Sequence, residues 1–156
     1  MILDSNLILD PAGTAITATA VSTNVIDVGV GRDMGIGRPL QVTVTSNGLF
    51  AAGGAATLQI QLEAAPDNGS GAPGTYDVLA ETEALSIAQL NSLTFQKISL
   101  VGFMLPDRAP GDSLPRFYRL NYVVATGPFT AGAVEAFINL SREQLPLYPS
   151  GFTVPN

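Results

Sequence analysis

Residues 116–140 read RFYRLNYVVATGPFTAGAVEAFINL, and the prediction of the fold starts from this stretch. Side chains of a β-strand point alternately to its two faces, so apolar residues at every second position mark a half-buried strand. The apolar positions are Tyr118, Leu120, Tyr122 and Val124 before the turn, and Val134, Ala136, Ile138 and Leu140 after it. The pattern predicts a hairpin around the turn TGPFTAG, with one face in the core and a mixed, partly polar outer face.

The outer side of this predicted hairpin and the aromatic residues near it supply the candidate interface residues. Arg119 and Glu135 share the polar side, where either a cross-strand ion pair or a simply solvated face is expected. Phe129 lies at the tip of the turn, while Tyr148 and Phe152 lie in the C-terminal tail. Single exposed aromatics are ordinary, but aromatics on turns and tails also anchor interfaces. These five residues are the predicted contacts to a partner.

The rest of the chain reads as further short strands separated by turn signals. Residues 57–65 alternate most regularly, with Leu58, Ile60 and Leu62 inward and Gln59, Gln61 and Glu63 outward. A tight turn is predicted at Asn47-Gly48, and residues 83–90 fit neither period, so one helical turn is possible there. The other predicted strands are 15–27, as one or two strands with a bend near Ser22, then 40–46, 76–81 and 97–104.

This pattern predicts an all-β protein, a jelly-roll-like β-sandwich of about eight antiparallel strands. Residues 1–156 are interpreted as a single domain. Residues 1–13 are expected to form an N-terminal arm or an edge strand. Residues 146–156 contain three prolines and are expected to run as an extended tail along this subunit or a neighbouring one.

The composition indicates a protein that buries much of its surface against neighbours. Charged residues make up 13% of the chain, whereas soluble domains average about 25%. No apolar run approaches the roughly 18 residues of a membrane-spanning helix, so we expect no membrane insertion. The net charge is −6 and the seven basic residues are scattered, which argues against nucleic-acid binding. Stable assembly with other protein subunits is the favoured explanation.

The sequence contains little that could carry out catalysis. It has no cysteine and no histidine, which removes thiolate nucleophiles, most zinc sites and every histidine general base. The glycine-rich residues 29–35 lack the spacing of a dinucleotide fingerprint and the Gly-Lys-Ser/Thr of a phosphate loop. Asp67-Asn68-Gly69 lacks the later ligands of a calcium loop. We therefore expect no enzyme, no cofactor and no metal.

Three segments resemble the capsid cement, or decoration, proteins of short-tailed bacteriophages. They are STNVIDVGVGRDMGIGRPL at 22–40, TLQIQLEAAPD at 57–67 and FYRLNYVVATGPFTAGAVEAFI at 117–138. The resemblance implies a jelly-roll-like protein on the outer surface of the head, made in the host bacterial cytoplasm. It also implies binding to neighbouring major capsid protein subunits of HK97-like fold, and self-association as a homodimer in preference to a trimer. No catalytic residue accompanies the resemblance.

Two other function classes stay open on the sequence. A carbohydrate- or receptor-binding β-sandwich of a phage particle is the first, although such modules use an aromatic platform or a calcium cage and this chain has no tryptophan. An enzyme with an unrecognised carboxylate pair is the second, with Asp107 and Asp112 or Glu81 and Glu83 as the acids.

Overall fold

The computed structural model describes residues 5–31, 40–92, 99–104 and 114–140, and within them the chain forms an all-β sandwich with one short helix. The helix α1 is Ile87–Ser92, and a single 3-10 turn covers Ser5–Leu7. The strands are β1 Ile8–Ala15, β2 Ala20–Val21, β3 Ile26–Asp27, β4 Leu40–Ala51, β5 Thr57–Ala65, β6 Asp77–Glu81, β7 Leu85–Ser86, β8 Ser99–Met104, β9 Phe117–Ala125 and β10 Ala131–Leu140. The described helix is too short to cross a membrane.

The strands form two antiparallel sheets with jelly-roll connectivity. A four-stranded sheet has the order β1-β10-β4-β8, and a six-stranded sheet has the order β2-β9-β5-β6 with β3 on β9 and β7 on β5. β2 and β3 follow each other along β9, and β6 and β7 follow each other along β5, so each pair occupies one strand position. This leaves eight strand positions, which we number in chain order. They run 1-8-3-6 in the four-stranded sheet and 2-7-4-5 in the six-stranded sheet, which is the jelly-roll order. The predicted fold class is confirmed.

The core lies between the inner faces of the two sheets. Leu58, Ile60 and Leu62 on β5 are fully buried, as their alternation predicted, and Leu120 and Tyr122 on β9 are buried beside them. Burial of each large aliphatic side chain contributes roughly 1.5–3 kcal/mol, so this layer provides the main driving force for folding. The other large buried core residues are Leu9, Ile16, Ile26, Val42, Val44, Phe50, Leu90, Tyr118, Phe129, Val134 and Ile138.

The predicted hairpin of residues 116–140 does not form, although both of its strands do. β9 pairs with β5, β2 and β3 in one sheet, whereas β10 pairs with β1 and β4 in the other. The connection bends sharply, with positive φ at Thr126 and Gly127. Two backbone hydrogen bonds hold this connection in place. Phe129 N–H donates to Thr17 O, just after β1, at 2.9 Å, and Thr130 N–H donates to Ala51 O, at the end of β4, at 2.7 Å. A connection of this length can cross the roughly 10 Å between packed sheets.

The tight turn predicted at Asn47-Gly48 is also wrong. β4 continues through this dipeptide to Ala51 while β10 pairs alongside it. The register shifts there, since Gly48 is opposite Ala133 and Ser46 is opposite Val134, so Asn47 is the extra residue of a β-bulge. A bulge tolerates the same flexible residue types as a turn, which explains the misassignment.

A buried carboxylate joins the two sheets across one edge of the sandwich. Asp10 on β1 is fully buried, and its two oxygens accept hydrogen bonds from the Tyr122 hydroxyl at 2.6 Å and the Thr23 N–H at 2.8 Å. Thr23 lies in the interruption between β2 and β3, where Ser22 Oγ accepts the Leu120 N–H at 3.1 Å. The bend predicted near Ser22 is therefore confirmed, and it brings a backbone donor to the buried acid.

Candidate partner-binding face

The outer face of the six-stranded sheet carries a continuous set of polar side chains. Because the apolar residues of β5 and β9 point inward, the intervening residues point outward. The register places Glu63 opposite Arg119 and Gln61 opposite Asn121 on this outer face. Glu81 at the end of β6 lies opposite Gln61 on the other side. We call Gln61, Glu63, Glu81, Arg119 and Asn121 the polar network.

Direct hydrogen bonds connect all five members of the polar network across three strands. Arg119 Nε donates to Glu63 Oε2 at 2.6 Å, and Asn121 Nδ2 donates to Glu63 Oε1 at 3.1 Å. Asn121 Nδ2 also lies 3.0 Å from Gln61 Oε1, and Gln61 Nε2 donates to Glu81 Oε2 at 2.9 Å. These side chains are thus held in defined positions before any partner arrives.

An aromatic ring packs against the arginine of the polar network. The guanidinium carbon of Arg119 lies 3.6 Å from the centre of the Tyr76 ring, which is within cation–π range. Partial burial raises the pKa of the Tyr76 hydroxyl, and the nearby Glu63 charge acts in the same direction while Arg119 opposes it. Tyr76 therefore stays a neutral hydrogen-bonding group at physiological pH.

A second charged cluster lies at one end of the same face. Arg116 binds Asp27 with two hydrogen bonds, at 2.7 Å from Nε and 2.8 Å from Nη2, and its Nη1 binds Asp67. The guanidinium carbon is 4.9 Å from the centre of the Phe117 ring, which lies in the same outward row as Asp27 and Ala65. We call Arg116, Asp27 and Asp67 the arginine cluster.

Electrostatics within the arginine cluster favour the charged form of every member. Hydrogen bonds from Arg116 hold the pKa of Asp27 below its ordinary value. The pKa of Asp67 is lowered first by the backbone N–H groups of Gly71 and Gly69 and then by Arg116. The two carboxylates raise the pKa of Arg116 in turn. At neutral pH the cluster therefore carries two negative charges and one positive charge.

Hydrogen bonds within the chain organise the loop of Asp67, Asn68 and Gly69. Asp67 Oδ1 accepts the Gly69 and Gly71 N–H groups at 2.7 and 3.0 Å, and Asn68 Oδ1 accepts the Ser70 N–H at 2.9 Å. These contacts, with Arg116 on the second Asp67 oxygen, form a closed surface turn. Within the described ranges no group of three or more metal-ligating side chains is found.

The structure changes the interpretation of three predicted interface residues. Phe129 is 3% exposed and packs edge-to-face against Phe50 with ring centres 5.3 Å apart, so the turn aromatic is a core residue and not an exposed anchor. Arg119 and Glu135 lie on different sheets, and Arg119 pairs with Glu63 instead. The cross-strand ion pair, one of the two arrangements expected for these residues, therefore does not form. Tyr148 and Phe152 lie outside the described residues.

Most members of the polar network were not predicted as interface residues. The alternation of residues 57–65 did indicate that Gln61 and Glu63 point outward, and Arg119 was assigned to an outer face as well. What the sequence lacks is a signal that β5 and β9 are neighbours. Tyr76 was included in the predicted strand 76–81, but β6 begins at Asp77, and no pattern in the sequence predicted its contact with Arg119.

The comparison with known families gives a result over most of the chain. A family model named Bbp16 matches residues 11–138, a span that includes most of both sheets, the polar network and the arginine cluster. A search of curated proteins finds no match. The Bbp16 name is associated with bacteriophages, which indicates a phage protein. By this match across most of its length, the chain belongs to the Bbp16 family.

Proposed function

We propose that this protein is a structural component of the virion that binds the outer surface of a bacteriophage head and bridges neighbouring major capsid protein subunits. The observation that carries the proposal is membership of the phage-associated Bbp16 family, combined with a jelly-roll fold. Jelly rolls are common in viral capsid and lectin domains, so the fold suits a surface component of a particle.

The charge distribution supports an outer location. With only 13% charged residues, the protein has fewer solvating groups than a freely soluble domain of its size. Its net charge of −6 would be repelled by the packaged DNA inside a head but not excluded from the outside. An acidic, sparsely charged protein therefore fits a position on the exterior of the shell.

The proposed mechanism is stabilisation by mass action. A protein that binds the expanded shell and not the unexpanded one stabilises the expanded state, by about 2.7 kcal/mol per site at a free concentration 100 times Kd. Side chains that are already fixed by hydrogen bonds, as in the polar network, lose less entropy on binding than mobile ones. Such sites repeated over a shell would resist the internal pressure of the DNA.

The proposed partners come from the resemblance to capsid cement proteins. The main partner is a major capsid protein of HK97-like fold, and the second is another copy of this chain, with a homodimer preferred over a trimer. The protein would be made in the host bacterial cytoplasm and carried on the outer surface of the virion. It would act by binding alone, without catalysis or a cofactor.

Co-sedimentation with heads tests the proposal. Heads of the phage that encodes this protein are produced without it, in expanded and in unexpanded form. Each form is then mixed with the purified protein. We expect saturable binding to expanded heads at a fixed ratio to capsid protein, and much weaker binding to unexpanded heads. Absence of saturable binding to either form would overturn the proposal. Binding to immobilised glycans in the same preparation would then favour the receptor-binding alternative.

A further inference from the structure

Among the residues that the structure describes, the two charged groups on the outer face of the six-stranded sheet have an excess of negative charge. The polar network and the arginine cluster together hold four carboxylates and two guanidinium groups, an excess of two negative charges. In the arginine cluster the carboxylates are the more accessible groups, with Asp27 and Asp67 side chains 40% and 33% exposed and Arg116 19% exposed. Glu81, at the other end, is exposed as well. A partner therefore meets acidic groups at both ends of this face.

We propose that this face docks onto the capsid shell and takes a partner surface that presents lysine and arginine side chains. The inference rests on the proposed function and adds to it the face that is used and the chemistry of the partner. Charge complementarity favours such a surface, since the exposed carboxylates at the two ends of the face attract a basic surface and repel an acidic one.

The centre of the face has the features of a binding hot spot. Arg119 is stacked on Tyr76 and fixed by Glu63, and arginine and tyrosine are the residue types enriched at energetically important interface positions. The Glu63 side chain is only 9% exposed, so the charge of Arg119 is already compensated within the chain. Covering this pair with a partner therefore leaves no unpaired charge at the centre of the interface.

Two alternatives fit the face less well. Self-association through it would bring the exposed carboxylates of Asp27, Asp67 and Glu81 of two copies together, which is electrostatically unfavourable. The outer face of the four-stranded sheet is a poorer match for a basic partner, because in β4 and β10 its one charged residue is Glu135. Electrostatic selection of a partner is thus concentrated on the six-stranded sheet.

Charge changes on the two faces test the inference. Glu81→Lys reverses a charge on the outer face of the six-stranded sheet, and Glu81→Gln removes that charge without reversing it. Thr45→Lys is the control, because it adds a lysine to the outer face of the four-stranded sheet, at the position opposite Glu135. The affinity of each variant for expanded heads is measured at about 50 to 500 mM NaCl. We expect wild-type binding to weaken with salt, Glu81→Lys to lose roughly tenfold in affinity at low salt, and Thr45→Lys to stay within about twofold.

The possible outcomes separate this inference from the proposed function. Wild-type binding with selective loss in Glu81→Lys, and a smaller loss in Glu81→Gln, supports the acidic docking face. If the wild-type protein binds and both Glu81 variants bind equally well, or if Thr45→Lys alone weakens binding, the docking face is overturned and the capsid role stands. Failure of the wild-type protein to bind heads overturns both. Thermal unfolding measurements establish whether each variant is folded. If Glu81→Lys does not fold, the comparison of Glu81→Gln with the wild-type protein still tests the docking face.

Discussion

Gly132 illustrates how one residue permits the packing between two strands. It has a φ of +154°, and a Cβ added there would lie 2.3 Å from Cδ1 of the Phe50 ring. Phe50 also packs against Phe129, so its ring is confined on another side. The absence of a side chain at position 132 is therefore required by the core and not only by the backbone.

Gly132→Ala should consequently destabilise the protein. Overpacking of a confined core costs about 1–3 kcal/mol, and we expect the free energy of unfolding to fall by about that amount in urea titrations. Gly53→Ala is the control, because an added Cβ there meets nothing within 4 Å. Equal stability of the Gly132 variant and the wild-type protein would show that Phe50 can move aside.

At the scale of the elements, Arg116 ties together segments that are distant in sequence. It joins the end of β3, through Asp27, to the surface turn of residues 66–74, through Asp67. The same turn closes on itself through Asp67 and the two N–H groups of Gly69 and Gly71. The planar guanidinium lets Arg116 bind Asp27 through two parallel hydrogen bonds and still reach Asp67 with its third nitrogen.

Arg116→Lys should loosen this turn while the sandwich stays folded, since a lysine ammonium cannot bind Asp27 through two parallel hydrogen bonds. We expect faster amide hydrogen exchange at Gly69 and Gly71, with unchanged exchange in the middle of β5. Asp27 and Asp67 both have lowered pKa values in the folded protein. The stability that their charged forms contribute is therefore present above the ordinary carboxyl pKa and is lost as the pH falls through the lowered values. Exchange at these glycines that is equally slow in the variant would contradict the role of Arg116.

The elements also show how far the sequence predicts this structure. The alternation of apolar residues correctly identified β5, β9 and β10 and the face that each one buries, because alternation depends only on the strand itself. It could not identify their neighbours, and β9 and β10 were wrongly paired for that reason. Arg119 and Glu63 are 56 residues apart, so the polar network depends on a long-range register that no local pattern encodes.

For the whole molecule, the bond between Tyr122 and Asp10 joins the two sheets through the interior. Burial and the adjacent Asp10 charge raise the pKa of Tyr122 above its ordinary value of 10.0. The folded state therefore favours the neutral phenol. This contribution to stability is fully present below about pH 10 and is lost as the pH rises further.

Tyr122→Phe removes the hydroxyl donor and leaves one oxygen of the buried Asp10 without it. We expect the free energy of unfolding at pH 7 to fall by about 1–3 kcal/mol, the cost of an unsatisfied buried acceptor. Between pH 9 and pH 11 the melting temperature of the variant should fall less steeply than that of the wild-type protein. If the melting temperatures of the two proteins fall equally steeply over this pH range, the loss of stability at high pH does not come from Tyr122.

On the scale of the whole molecule, electron cryomicroscopy of heads saturated with the protein would locate the protein on the particle. We expect jelly-roll density outside the shell, at symmetry-related positions, with each copy or dimer touching two neighbouring capsid protein subunits. Density inside the shell, density confined to the tail, or no ordered density on heads that bind the protein would contradict this expectation.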